Sequence, residues 1–76
     1  MTNIILPELG EGIAKATVAC WHVNEGAKVR KGDEICEVAT DKAVFNVEAP
    51  ADGLLNKIII RQGEDGLVGG VLGVIE

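Results

Sequence analysis

Displaced by 37 residues, the chain falls back on itself without a gap: Val23-Asn-Glu-Gly26 superposes on Ile60-Arg-Gln-Gly63, Gly32 on Gly69, Ile35 on Leu72 and Val38 on Ile75. Upstream, Thr17-Val18 meets Leu54-Leu55, and Trp21-His22-Val23 meets Ile58-Ile59-Ile60. Only two glycines are identical between Val23 and Val38, so what repeats is a rhythm: strand, Gly turn, short strand, Gly turn, strand. One such unit is too small to bury its own apolar face. Two can do so by packing together, which predicts an all-β domain over 1–76, a two-sheet sandwich or flattened barrel with quasi-two-fold symmetry. If an approximate two-fold axis relates the halves, the chain ends fall opposite the segment that joins them.

At 76 residues there is room for one domain. Tyr is absent and Trp21 and Phe45 are the only aromatics, so Val, Ile, Leu and Ala must build the core. Helix finds no foothold among β-branched runs such as Ile58-Ile-Ile60 that are cut by glycines. The expected strands are Asn3-Leu6, Ala16-Val23, Lys28-Val29, Glu34-Thr40, Ala43-Ala49, Gly53-Ile60, Leu67-Val68 and Val71-Ile75. A formal charge of −5 argues against nucleic acid or an anionic membrane surface as a partner. No apolar run approaches the roughly 20 residues of a membrane span, so a soluble chain is expected. Cys20 and Cys36 read as reduced thiols of a cytosolic-type compartment. One histidine, His22, and no Cys-x-x-Cys leave no expected metal site and no catalytic constellation.

The two halves join at Glu37-Val-Ala-Thr-Asp-Lys-Ala-Val-Phe-Asn-Val47. A two-residue turn centred on Asp41 and Lys42 pairs Val38 with Phe45 and Cys36 with Val47 on an apolar side. Glu37 with Asn46 and Ala39 with Val44 then form the exposed side. Ile35 opposite Glu48 breaks the alternation. With no Gly between Thr40 and Ala43, a type I turn is expected, Asp41 bonding its own backbone. Lys42 then projects into water at the point farthest from the core. By spacing alone it is an ordinary exposed turn lysine.

Pro7-Glu-Leu-Gly-Glu-Gly-Ile13 reads as a surface loop. Its Gly-Glu-Gly has no third glycine and no following helix, and its acids would repel phosphate. In the second half Gly66 stands where the repeat has Val29, and Gly69-Gly70 follow, which predicts greater mobility from Asp65 to Gly70.

Three segments in order, Leu6-Pro-Glu-Leu-Gly-Glu-Gly-Ile13, Trp21-x-Val-x-x-Gly26 and Asp41-Lys42-Ala43, resemble the lipoyl domain of the acyltransferase components of 2-oxo acid dehydrogenase complexes. The likeness spans almost the whole chain. It implies a flattened barrel of two four-stranded antiparallel sheets, a barrel-sandwich hybrid, with lipoic acid in amide linkage on Lys42. Asp41 and Ala43 would then shape the turn that presents it, and the domain itself would catalyse nothing. The chemistry would belong to the cofactor. Glu8, Leu9, Gly10, Glu11, Gly12 and Ile13 would form the loop that a partner dehydrogenase reads, with Gly26 near the modified hairpin. Ala39, three residues before the lysine, stands where the family often has Glu, and is expected to affect modification and recognition.

The implied partners are a lipoate ligase or lipoyl transferase, the decarboxylating 2-oxo acid dehydrogenase component and dihydrolipoamide dehydrogenase. An acyltransferase core in a longer parent chain completes the set, while the isolated domain is expected to be a monomer. The implied location is a bacterial cytoplasm or the mitochondrial matrix. Two other readings share the barrel. A biotin carrier normally has methionines beside its lysine, whereas Met1 is the only Met here. An unmodified barrel serving as a rigid docking module would carry no cofactor and would tolerate Lys42→Arg.

Overall fold

The computed structural model describes all 76 residues as eight strands and no helix. They are β1 (Thr2–Ile5), β2 (Lys15–Trp21), β3 (Lys28–Val29), β4 (Glu34–Ala39), β5 (Val44–Glu48), β6 (Gly53–Ile58), β7 (Asp65–Leu67) and β8 (Val71–Ile75). All pairings are antiparallel, and the strands form two four-stranded sheets, ordered β1-β8-β6-β3 and β5-β4-β2-β7. The body measures 32 × 20 × 17 Å. Between the sheets Ile4, Leu6, Val18, Val29, Ile35, Val38, Leu55, Leu72 and Ile75 are almost wholly buried. This aliphatic core is the one the sequence requires.

The 37-residue repeat is written into the register. In one sheet Val18 faces Val38 and, after a bulge, Cys20 faces Glu37. In the other, Leu55 faces Ile75 and, after a bulge, Lys57 faces Val74. Each of these residues lies 37 places from its mate. The edge strands obey the same rule, Thr17 pairing with Asp65 as Leu54 pairs with Lys28.

Two expected strands stop early, at Trp21 and Ile58, again 37 residues apart. Ile35 and Leu72, each skipped at a shift in register, turn their carbonyls to the next amides: His22 N–H and Ile59 N–H donate to them at 2.9 Å each. A bulge of this kind bends the strand it interrupts. Trp21 ties the sheets together. Its Nε1 donates to the Ile60 carbonyl at 2.8 Å, and its ring edge lies 3.2 Å from where a Cβ on Gly73 would stand.

Beside it, Cys36 is fully buried, and burial first, then the neighbouring Cys20 and Glu37, push its thiol up to about 12. It therefore packs as a neutral small hydrophobe. Cys20 is only half-buried.

Candidate functional site

The β4–β5 hairpin adopts the register read from its alternation: Ala39 with Val44, Val38 with Phe45, Glu37 with Asn46 and Cys36 with Val47. Ile35, the residue that broke the pattern, is skipped, so Glu34 faces Glu48. Val38, Cys36 and Val47 are buried, while Asn46 and Val44 are exposed. At the tip Asp41, Lys42 and Ala43 are exposed. No residue other than glycine has positive φ, which excludes a primed turn here.

The turn is held by Thr40, not by Asp41. Thr40 Oγ1 accepts from Lys42 N–H at 3.2 Å and Ala43 N–H at 3.1 Å, and donates to the Ala43 carbonyl at 3.2 Å. Thr40 N–H donates to that same carbonyl at 2.8 Å. Asp41 makes no hydrogen bond, which corrects the role expected of it. The missed signal was a hydroxyl at the first turn position, which can take the place of a backbone acceptor.

Beside the hairpin lies an open groove of about 680 Å³, lined by Glu11 to Thr17, Ala39 to Lys42 and Asp65. The loop before β2 reaches it because its two ends are tied to the turn after β7. Leu6 exchanges backbone bonds of 2.9 Å with Gly69 and Gly70, and the Ala14 carbonyl accepts from Val68 N–H at 2.9 Å. Two lysines line the groove. Lys15 Nζ lies 3.8 Å from Asp65 Oδ2, a carboxylate that also accepts from the Thr17 hydroxyl. That is the molecule's one ion pair, so Lys42 has no anionic partner.

The groove gathers Glu11, Gly12, Ile13, Ala39, Asp41 and Lys42. It does not include Glu8, Leu9 or Gly10; Leu9 packs against the core instead. Gly26 is also misplaced by the sequence reading. Its N–H donates at 2.7 Å to Leu55, whose register partner is Ile75, so it belongs with the chain ends. The reason is direction: β2 runs away from the hairpin, carrying the turn that follows it to the far end. Gly63, its mate in the repeat, bonds Val18 at 2.8 Å and occupies the hairpin side.

A second cluster lies on the outer face of the β2–β4 pair, where no site was expected. Donor atoms of Cys20, His22 and Glu37 all lie within 4.8 Å of one another. The bulge after Val18 brings Cys20 opposite Glu37, and that shift is invisible to residue spacing.

Set against known proteins, residues 2–75 match the Biotin_lipoyl family, described as "Biotin-requiring enzyme". The chain is 37% identical over 73 residues to the dihydrolipoyllysine-residue succinyltransferase component of the 2-oxoglutarate dehydrogenase complex of Buchnera aphidicola subsp. Baizongia pistaciae. That alignment covers 96% of this chain and 18% of the relative. It is 42% identical over 65 residues to the dihydrolipoyllysine-residue acetyltransferase component of the pyruvate dehydrogenase complex of Rhizobium meliloti, covering 86% of this chain and 14% of the relative. The chain thus spans under a fifth of these relatives' length. The solution structure of the lipoyl domain of the 2-oxoglutarate dehydrogenase complex from Azotobacter vinelandii superposes with a TM-score of 0.78 at 37% identity, covering all of this chain and 96% of that one.

Proposed function

The chain belongs to the biotin/lipoyl attachment family as a lipoyl domain, a carrier, and from that premise we propose that Lys42 holds lipoic acid in amide linkage. The observation that carries the reading is the position of this amine. It stands on the tip of the one long hairpin, exposed, without a counter-ion, on a turn whose two inner amides are already satisfied by Thr40. Lys15, in the same groove, is held by Asp65. The relatives' names also favour lipoyl over biotin.

The small side chains of Ala39 and Ala43 leave the tip open to a ligase or transferase. Once attached, the lipoyl group supplies dithiolane chemistry for acyl and electron transfer. What the protein supplies is presentation. Docking at one active site turns the arm's encounter with a bound intermediate into an effectively intramolecular event, gaining effective concentration without new contacts. By this reading the partners are the decarboxylating dehydrogenase, dihydrolipoamide dehydrogenase and an acyltransferase core in the parent chain, within a 2-oxo acid dehydrogenase complex.

Intact mass after expression with and without lipoate tests the attachment. The native chain should gain one lipoyl mass, and Lys42→Ala should fold normally and gain none. Lipoyl mass on Lys42→Ala, mapped to Lys15 or Lys57, would falsify the assignment. The loop is proposed as the surface a dehydrogenase reads, and its groove residue separates it from its neighbour. Glu11→Lys should slow reductive acylation more than Glu8→Lys; equal rates would remove the groove from recognition.

A further inference from the structure

The structure assigns a divalent transition-metal site, suited to Zn²⁺, to Cys20, His22 and Glu37 on the outer face of the β2–β4 pair. Cys20 and Glu37 are cross-strand partners, and His22 follows two residues along from Cys20. The bulge after Val18 makes the meeting possible. Without it Cys20 would continue the buried alternation of Ala16 and Val18; with it, Trp21 comes opposite buried Cys36 and Cys20 comes opposite half-exposed Glu37. Cys20 and Glu37 are half-buried and His22 is exposed, so the donors are open to solvent and an ion can reach them.

The donor set is one thiolate sulfur, one imidazole nitrogen and one carboxylate oxygen, all ligands that Zn²⁺ takes in tetrahedral geometry. Water would fill the fourth position. Bond lengths of about 2.3 Å to sulfur and about 2.0 Å to nitrogen place those two atoms roughly 3.5 Å apart around such an ion. Cys20 Sγ and His22 Nδ1 already stand 3.9 Å apart, and all three donors lie within 4.8 Å. Side-chain rotation alone closes the remainder. Binding forms the three protein–metal bonds and releases the Cys20 thiol proton to solvent, with no change of oxidation state.

The fold itself does not demand these residues. The other half builds the same bulge with Lys57, Ile59 and Val74 at the matching places, and none of those three supplies a comparable ligand. A bound ion would cross-link β2 to β4 at the third register pair in from the hairpin tip.

The test uses the Lys42→Arg chain, reduced, so that no lipoyl sulfur is present and the result stands apart from the proposed attachment. Co²⁺ titration should give a thiolate-to-metal charge-transfer band with tetrahedral ligand-field bands, and Zn²⁺ should displace Co²⁺ and shield Cys20 from alkylation. Cys20→Ser should abolish the charge-transfer band. His22→Gln and Glu37→Gln, both at the surface, should each weaken binding by at least the roughly 10- to 100-fold that outer-shell changes cost. Amide shifts caused by Zn²⁺ should cluster at residues 19–23 and 35–38. A cobalt spectrum without sulfur charge transfer, no binding, or a folded Cys20→Ser chain that binds as tightly overturns the site.

Discussion

Residues 15–39 and 52–76 trace one path twice, yet they end differently. The first half closes into the Thr40–Ala43 turn, whereas in the second Thr2 faces Ile75 and Glu76 exchanges backbone bonds with Leu54. Inside, the halves are complementary more than identical. Trp21 and Cys36 in one correspond to Ile58 and Gly73 in the other, and Trp21 reaches across the sandwich to lie against Gly73. The bare glycine makes room for the one large ring. A duplicated frame can thus be kept by its buried aliphatic positions while single sites diverge to pack the centre.

A large effect on that frame should come from giving Gly73 a side chain, as its mate Cys36 has. A Cβ there would stand 2.8 Å from the Lys57 carbonyl oxygen and 3.2 Å from the Trp21 ring. The carbonyl belongs to a paired strand and has little room to retreat. Gly73→Ala should therefore cost about 1–3 kcal/mol, the usual range for overpacking a tight core. Urea denaturation measures it. A variant as stable as the parent would show that Trp21 and Gly73 are not complementary in the way described.

A smaller effect isolates the hairpin tip. Thr40→Val keeps shape but removes the acceptor of two amides, which should cost about 0.5–1.5 kcal/mol and slow modification by a lipoate ligase. Asp41→Ala removes no hydrogen bond and should stay within about 0.5 kcal/mol of the parent. If the two variants exchange behaviour, the turn is held by the aspartate after all.

These sites also mark how far the sequence could be read. Seven strands were legible in place, while β7 lies at Asp65–Leu67 and shares only Leu67 with the expected Leu67-Val68, because Asp65 and Gly66 carry no strand pattern. The hairpin register was legible because Val38, Phe45, Cys36 and Val47 alternate with polar or exposed neighbours and a one-residue slip would expose them all. Thr40 was passed over because Asp is the commoner turn residue. Gly26 was misplaced because motif order carries no strand direction, and only topology shows that β2 runs away from the tip. The Cys20, His22 and Glu37 cluster depends on a bulge, which inserts one residue into one strand and leaves no mark in spacing. Regular elements were readable from their period; of the departures, the break at Ile35 left a mark and the shift after Val18 did not.

A last predicted difference lies in the paired turns after β3 and β7, where the backbone is the same and the side chains are not. Gly32 N–H donates to Ala49 and Gly69 N–H to Leu6, each at 2.9 Å; Ala49 N–H and Leu6 N–H return bonds to Asp33 and Gly70 at 2.8 and 2.9 Å. What differs is Val29, buried, against Gly66, which has no side chain to bury. Leu72, Leu6 and Ile60 close in on Gly66, lying 3.1, 3.8 and 3.9 Å from where its Cβ would be, and take up part of the space a side chain would fill. The contacts those residues gain offset part of the lost valine burial, but glycine still gives up more backbone freedom on folding. Local opening should then be easier at the second turn by about 1 kcal/mol, which makes the protection factor of Gly69 several-fold lower than that of Gly32 in amide exchange. Equal protection would mean that Leu72, Leu6 and Ile60 replace the missing valine in full, and that the two halves, despite their different side chains, are held equally tightly.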